Sequence, residues 1–364
     1  MKICHVINSL SGGGAETHLL DLVHAQKDQG HTVTVIATGP DKKNMKSLEE
    51  EFTNVSDSIL RLYFPRLFNL YSYIKFYKNL KENKYDIVHT HQPRSDFMFF
   101  ILKSFTAITT TWIVSIHGKY DTYLEGNIFF DQIRKLSMPL LVKIWNSSNQ
   151  IICISQEVKK WLTTYKIKSN ISVISYWISK SKLVNLEETK ESINIGFMGR
   201  VNKNKGVEDL LDVFEDLSED RYHLFIAGSG KEAYLKKLNE RYELKNVNFL
   251  GYVSNKEKFF SNIDIFVFPS YSEGLGLALL ESMSYSKICI SRNVAPMNSI
   301  LNQDSGYLFH NNEELKSIIL DCGHLFKEDI LSLNKKLSNQ YNLLNEKYNK
   351  QVLFEKIESI YQDG

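Results

Sequence analysis

Four side chains in the second half of the sequence could do chemistry together. A strand-like run at 193–198 ends in Gly199-Arg200, and Lys205-Gly206 follows just before an amphipathic segment. Two cations therefore flank a helix start at the carboxyl end of a strand, the edge where open α/β sheets bind ligands. With the helix-terminal amides, Arg200 and Lys205 would neutralise a diphosphate leaving group. As a lone basic pair they would read as a solvated loop. What adds to them is the run Phe268-Pro269-Ser270-Tyr271-Ser272-Glu273-Gly274-Leu275-Gly276-Leu277-Ala278-Leu279-Leu280-Glu281. It leaves a buried strand, turns on glycines and starts a helix near Gly276. Glu273 in the loop and Glu281 in the second helical turn can face one crevice and accept hydrogen bonds from sugar hydroxyls, while the amides of Leu275, Gly276 and Leu277 point at a phosphate. Two more strand ends converge there, one running into Gly228-Ser229-Gly230 and one into Gly251-Tyr252-Val253.

The first half carries a second candidate anion site. Ser11-Gly12-Gly13-Gly14-Ala15-Glu16 follows a strand and opens a helix, so backbone N–H groups can face an anion with no side chain in the way. A dinucleotide fingerprint needs GxGxxG and an acidic residue near the end of the next strand. Here that strand ends Ala37-Thr38-Gly39-Pro40, and both counts disfavour an NAD-dependent oxidoreductase.

The elements that must hold these residues are short apolar runs alternating with segments of helical period, the pattern of a parallel sheet covered on both faces. Strands are expected at 3–7, 32–37, 86–89, 111–116 and 150–154, with a helix over 16–29 that ends at Gly30. The alternation stops between 171 and 192, where a hinge is expected, and restarts with strands at 193–198, 222–227, 247–250, 263–268 and 287–290. No repeat of solenoid length recurs. The tail over 312–362 is helical by pattern, and in a two-domain protein such a tail often packs back across the cleft.

A chain of 364 residues with 43% hydrophobic content exceeds the size at which one core usually stops growing, so two domains are expected. Residues 1–178 hold 21 Lys+Arg against 15 Asp+Glu, and the remainder 23 against 27. That asymmetry is too small for nucleic-acid binding, but it suits a first half that approaches an anionic lipid or a lipid-linked phosphate. Cys4, Cys153, Cys289 and Cys322 form no CxxC pair and read as buried thiols in a reducing, cytoplasmic compartment. The N-terminus lacks an apolar stretch of signal-peptide length, and the run at 97–102 is far shorter than the roughly 18 residues a spanning helix needs. Membrane contact would then be peripheral, on the inner face of the cytoplasmic membrane. Its candidate is the aromatic and basic stretch Arg61-Leu62-Tyr63-Phe64-Pro65-Arg66-Leu67-Phe68 through Tyr71, Tyr73, Lys75, Phe76, Tyr77, Lys78 and Lys81, which by helical spacing alone reads as a helix with its aromatic face in the core.

Arg200 with Lys205, the Glu273 to Glu281 spacing, the Gly-Gly-Gly-Ala-Glu loop, Asn246-Val247-Asn248-Phe249-Leu250-Gly251 and Ile263-Asp264-Ile265-Phe266-Val267-Phe268-Pro269-Ser270 stand in one order. In that order, over nearly the whole chain, the sequence resembles the retaining GT-B glycosyltransferases of glycosyltransferase family 4 (glycosyl transferases group 1). The resemblance implies an α/β fold of two Rossmann-like, doubly wound parallel-sheet domains facing a central cleft. It divides the chain into an acceptor-binding domain at 1–178, a nucleotide-sugar-binding domain at 179–345 and a helix at 346–364 crossing back to the first domain. It also implies a hexosyltransferase-type enzyme taking a nucleotide-sugar donor, UDP rather than GDP by family frequency, and a glycan or lipid-linked acceptor in bacterial-type surface polysaccharide assembly.

Carried over residue by residue, the resemblance gives Arg200 and Lys205 the diphosphate, Glu281 the ribose and Glu273 the transferred sugar. Tyr252 and Val253 contact the base through their backbone, and the Gly13 and Gly14 amides close over the donor. His117, in Ile116-His117-Gly118, matches the family's histidine facing the reacting sugar. The family transfers with retention, the leaving diphosphate taking the acceptor's proton, so charge stabilisation by Arg200 and Lys205 matters more than a side-chain base. No Asp-x-Asp stands on a strand-end loop, so neither a metal nor another cofactor is expected. The sequence departs from the family at Tyr285-Ser286-Lys287, at Tyr176-Trp177-Ile178 and at Asn298, which touches the hinge and the loop after Ile290 rather than the donor residues. The competing reading from another class is a non-catalytic sugar-nucleotide-binding subunit supporting a partner transferase; it predicts donor binding without turnover.

Overall fold

The run Val33-Thr34-Val35-Ile36-Ala37 offers no polar face to water, and the fold buries it completely, as it does nearly all of the run before it. The computed structural model describes residues 1–41, 46–63, 69–121, 128–179 and 181–363, with the backbone alone at 128–131. The chain forms two compact units, Met1–Trp177 with Lys350–Gly364, and Ile178–Asn349.

In the first unit the order is β1 (Lys2–Ile7), α1 (Gly14–Asp28), β2 (Thr32–Ala37), α2 (Glu49–Val55), β3 (Ser58–Arg61), α3 (Leu70–Asn83), β4 (Ile87–His91), α4 (Pro93–Phe105), β5 (Thr111–Ile116), α5 (Ile128–Trp145), β6 (Gln150–Cys153), α6 (Gln156–Thr163) and β7 (Asn170–Val173). The second unit runs β8 (Ile193–Met198), a 3-10 turn at Lys203–Lys205, α7 (Val207–Phe214), β9 (Tyr222–Ala227), α8 (Glu232–Arg241), β10 (Val247–Gly251), α9 (Lys256–Ser261), β11 (Ile265–Phe268), α10 (Leu277–Ser284), β12 (Ile288–Arg292), α11 (Met297–Ile300), β13 (Tyr307–Phe309), α12 (Asn312–Glu328) and α13 (Ile330–Lys347). The last helix, α14 (Lys350–Asp363), belongs to the first unit.

Both sheets are wholly parallel and doubly wound, in the orders β3-β2-β1-β4-β5-β6-β7 and β10-β9-β8-β11-β12-β13. Strand order reverses between β1 and β4 in one and between β8 and β11 in the other, and these are the crevices where open sheets bind ligands. The ten expected strands are present. β3, β7 and β13 were not expected: they are three or four residues long at sheet edges, and β3 and β7 are half-exposed, so no apolar run announces them. The expected hinge at 171–192 contains the division between the units, but it starts too early. Its first residues pair with β6 as β7, and the units divide between Trp177 and Ile178.

Two sets of helix starts differ in their caps. Asn69, Ser155, Asn255, Asn311 and Asp329 cap α3, α6, α9, α12 and α13 with a side-chain oxygen on a first-turn amide. The helices after the strands that flank the two switch points lack such a cap: α1, α7 and α10 begin at Gly13, Gly206 and Gly276, and α4 at Gln92. Their first-turn N–H groups have no intrahelical acceptor.

The aromatic and basic stretch divides by face. Its part at 64–68 lies outside the described residues. On α3, Phe76 and Leu80 enter the core, while Leu70 (76% exposed), Tyr71 (73%) and Ile74 face outward beside Lys75 and Lys78. All four cysteines are free and buried.

The tail is three helices rather than one, broken at Asp329 and before Lys350. α14, rather than a helix from 346, returns to the first unit and places Leu353, Phe354, Ile357 and Tyr361 in one core with Ile3, Leu19, Leu22 and Val35. At about 1.5–3 kcal/mol per buried side chain, four such residues match the whole 5–15 kcal/mol stability of a typical domain. A chain ending at residue 349 is therefore expected to keep the second unit folded and lose the first. Hydrogen exchange would show this as unprotected amides in β1, β2 and β4, and full protection there would contradict it.

Candidate functional site

In the second unit the strand ends β8, β9 and β10 are tied together by their backbones. The Gly199 amide donates to the Ala227 carbonyl (2.9 Å), and the Gly228 amide to that of Gly251 (2.7 Å). A Cβ on Gly228, where φ is +146°, would lie 1.7 Å from the Gly199 carbonyl oxygen, so only glycine fits. Gly199 and Gly228, expected as ligand contacts, thus commit their amides to the scaffold. Tyr252 and Val253 follow β10 at the same edge, Tyr252 exposed.

Across the switch point, Lys205 closes the short turn before α7 and is nearly buried. Its ammonium donates to the Glu273 carboxylate on the loop after β11, and both side chains are about one-tenth exposed. Lys205 and Glu273, expected separately at the diphosphate and at the transferred sugar, are therefore brought together. Arg200 stands exposed just after β8. Glu281 lies in the second turn of α10 and accepts from Lys256 of α9, a residue that sequence reasoning did not single out. Gly276 caps α10 with φ +90°, and Leu275, Gly276 and Leu277 form its amino-terminal rim with Gly274 just before it.

The loop carrying Glu273 is clamped from behind by residues the sequence did not reveal. Arg292, at the end of β12, is buried. It pairs with Asp209 of α7, donates Nε to the Pro269 carbonyl (2.9 Å) and lies 4.2 Å from the Tyr271 ring centre. The Tyr271 amide donates to the Asn204 carbonyl (2.9 Å) and its hydroxyl to Asp209 (2.5 Å). Gly206 allows the close approach, since a Cβ there would stand 2.2 Å from the Pro269 carbonyl oxygen. The available signal was Arg292 at the end of a strand, just beyond the expected limit at 290.

In the first unit the glycine loop is partly self-satisfied. The Gly12 amide donates to Lys46 and the Gly13 amide to Ser11, so Gly14, the first residue of α1, is left facing outward where Gly13 was also expected to serve. Glu16 is buried against this loop, and a Cβ on Gly13 would lie 2.4 Å from its carboxylate. His117 follows β5. Its Nδ1 is bonded to the Tyr176 hydroxyl and its Nε2 lies 3.3 Å from Nδ1 of His91. Behind it stand His5, His89 and His91, all buried, and His18 stacks on Tyr176 at 4.1 Å.

Residues 180–361 match the family model of glycosyl transferases group 1, and residues 12–181 match that of Glycosyltransferase Family 4. The chain belongs to the group 1 glycosyltransferases. This glycosyltransferase is 26% identical over 312 residues to the capsular polysaccharide biosynthesis glycosyltransferase CapH of Staphylococcus aureus, covering 83% of this chain and 84% of that one. It is 22% identical over 364 residues to the O-antigen biosynthesis glycosyltransferase WclY of Escherichia coli, covering 94% and 97%. The structure of HepE from Anabaena in complex with UDP and glucose shares its GT-B fold, with a TM-score of 0.82 over 100% of both chains at 16% identity.

The glycosyltransferase keeps its histidine cluster uncharged. Burial pushes His5 and His117 down to about 4 and His18 down to about 3, and burial with neighbouring imidazoles holds His89 and His91 well below the usual range. In the unfolded chain these groups take up protons near pH 6.5. Their contribution to stability is therefore complete above that pH and is lost as pH falls from about 6.5 towards 4. Asp96, a buried carboxyl pushed up to about 7 that accepts from Thr90 (2.6 Å) and Trp145 (3.0 Å), acts in the opposite sense, but it is one group against five. Unfolding of the first unit near pH 5.5 should take up about three and a half protons, or about 5 kcal/mol per pH unit. Thermal unfolding between pH 7.5 and 5 measures this, and a melting temperature independent of pH would refute it.

Proposed function

We propose that this glycosyltransferase moves a sugar, with retention of anomeric configuration and without a metal ion, from a UDP-sugar to a glycan or lipid-linked acceptor in surface polysaccharide assembly. The observation that carries the reading is the nearly buried Lys205–Glu273 pair at the switch point of the second unit, beside the uncapped start of α10. A diphosphate placed there meets the Lys205 ammonium, the Arg200 guanidinium and the first-turn amides of α10, donors set in place before the reaction begins. Glu273 holds Lys205 until the donor arrives and then accepts from the transferred sugar's hydroxyls. Glu281 serves the ribose, which takes over from Lys256, while Tyr252 and Val253 meet the base. Gly14 and His117 are assigned to the donor by the family resemblance. Because the leaving diphosphate takes the acceptor's proton, no side-chain base is required. The names of CapH and WclY, concerned with capsule and O-antigen, support the acceptor class, and HepE with bound UDP supports the base.

Thermal unfolding with UDP, GDP, ADP and NAD, each with and without EDTA, tests the donor site. A ligand at 100 times its dissociation constant adds about 2.7 kcal/mol. A shift with UDP should survive EDTA and vanish in Lys205→Ala, a variant expected to lose about 10²–10³ in turnover. A shift with NAD alone, or one abolished by EDTA, would overturn the reading. The anomer of the product, read by NMR, decides retention.

The outward face of α3 suits an anionic membrane. Leu70, Tyr71 and Ile74 stand beside Lys75 and Lys78, and Leu136 (80% exposed) and Leu140 lie outward on α5. α4 lies between these helices, with Phe99 on Phe76 of α3 and direct contacts to α5. No helix among the described residues is long and apolar enough to cross a membrane. At about 1 kcal/mol per lysine near an anionic surface, Lys75→Glu with Lys78→Glu should lower partitioning onto phosphatidylglycerol vesicles at least about tenfold. Unchanged co-sedimentation would remove this contact from the proposal.

A further inference from the structure

The buried histidines of the first unit form an unbroken, directional chain. Gln26, on α1, places Oε1 2.8 Å from Nε2 of His5 and donates Nε2–H to the Tyr361 hydroxyl (3.3 Å). With its carbonyl oxygen turned to His5, the amide makes His5 Nε2 a donor and leaves Nδ1 bare. His5 Nδ1 lies 3.1 Å from His91 Nε2, so His91 donates there and keeps its own Nδ1 bare. His117 Nε2, 3.3 Å from that atom, must then be the donor, and His117 Nδ1 accepts from the Tyr176 hydroxyl. A neutral imidazole has one donor and one acceptor, so each link fixes the next.

The far end gives the same direction independently. Tyr176 is 4% exposed, and its hydroxyl has His117 as its hydrogen-bonding partner. Reversing the chain would make His117 the donor and bury the Tyr176 O–H without an acceptor, at a cost of about 1–3 kcal/mol. A metal would disrupt this arrangement. His5, His89 and His91 each bring a ring nitrogen within 4.8 Å of the others, but both nitrogens of every ring already have a partner, those of His89 being Tyr361 (2.6 Å) and Ser115 (2.8 Å).

We propose that Gln26 is a positioning residue which, through His5 and His91, sets His117 as the tautomer protonated on Nε2, so that Nδ1 can accept a hydrogen bond from a ligand hydroxyl and cannot donate one. The inference rests on the reading that His117 serves the transferred sugar. In the ligand-free protein the Tyr176 hydroxyl takes the place of that ligand group. The specificity that follows is for a hydroxyl donor at this point of the sugar: a fluoro or deoxy sugar there would leave Nδ1 without a hydrogen-bond donor.

Two-bond ¹⁵N–¹H correlation spectra of the full chain labelled with [¹⁵N]histidine, near neutral pH and without donor, test the chain. His5, His91 and His117 should each show a protonated Nε2 and a bare Nδ1. Gln26→Leu removes the terminal acceptor and should mix the tautomers as far as His117, three rings away, while Gln26→Glu, which keeps an oxygen facing His5, should restore them. Tyr176→Phe should leave His117 protonated on Nε2, because the direction is set at the other end. Protonation of wild-type His117 on Nδ1, a change confined to His5 in Gln26→Leu, a switch in Tyr176→Phe, or a stoichiometric metal would each overturn the proposal. If Gln26→Leu fails to fold by circular dichroism, the wild-type and Tyr176→Phe spectra still decide. Turnover is not read, so a failure of the glycosyl-transfer reading would leave these spectra unchanged and stay distinguishable.

Discussion

Because every strand in both sheets is parallel, each must pass into a crossover before the next can begin, and all the carboxyl ends in a sheet gather along one edge. In the second unit, β8 starts the sheet and β11 returns to its other side, so the segments leaving these two strands part and open a crevice. The residues meeting there come from 199–205 and 269–281, far apart in the chain. Their helices begin at glycines, which leaves the positive ends of α7 and α10 unobstructed where Arg200, Lys205 and Glu273 stand. Charge of both signs at one strand edge is thus a result of winding order.

The charges at this crevice are held in place. Lys205 ends a 3-10 turn and Glu273 stands on a loop, yet each is held by the fold. Gly206 lets the turn press against Pro269, and Arg292 fixes the same carbonyl from the opposite side while bonding Asp209. Arg292 is buried and Asp209 about one-fifth exposed, so losing either partner leaves the other charge largely shut off from water. The rigidity of the loop therefore comes from β12 and α7, elements that need not touch a substrate.

Much of this was legible in the sequence because it rested on long apolar runs and on glycines with neighbours of distinct type. Nine of the ten strands found that way carry buried apolar residues, and the tenth, β10, has Val247 and Phe249 half-buried. β3, β7 and β13 went unseen because an edge strand of three or four residues has one face half in water and no periodicity to read. The Lys205–Glu273 meeting could be argued from strand ends, but Arg292, Asp209 and Lys256 could not: ordinary charged residues on a strand and on helices carry no local mark of where the tertiary fold takes them. Gly199 and Gly228 illustrate the converse. Both were read as ligand contacts; their amides bond neighbouring strand ends, and at Gly228 the missing Cβ lets the Gly199 carbonyl approach. The histidine chain was equally hidden, since His5, His89, His91 and His117 stand on three different strands or their ends and only their pairing in the sheet aligns them.

The return of α14 to the first unit makes that unit discontinuous, and this has a consequence for synthesis on the ribosome. The first 177 residues emerge without the helix that covers Ile3, Leu19, Leu22 and Val35, and the intervening segment must be translated before it appears. At about 5–20 residues per second the wait is roughly 10–35 s. The second unit, later in the message, is thus the first to have all its parts, reversing the usual amino-to-carboxyl order. During the interval the nascent first unit carries an uncovered apolar face, the kind of surface on which chaperones act, and translation speed through 178–349 becomes a determinant of how much active enzyme a cell obtains.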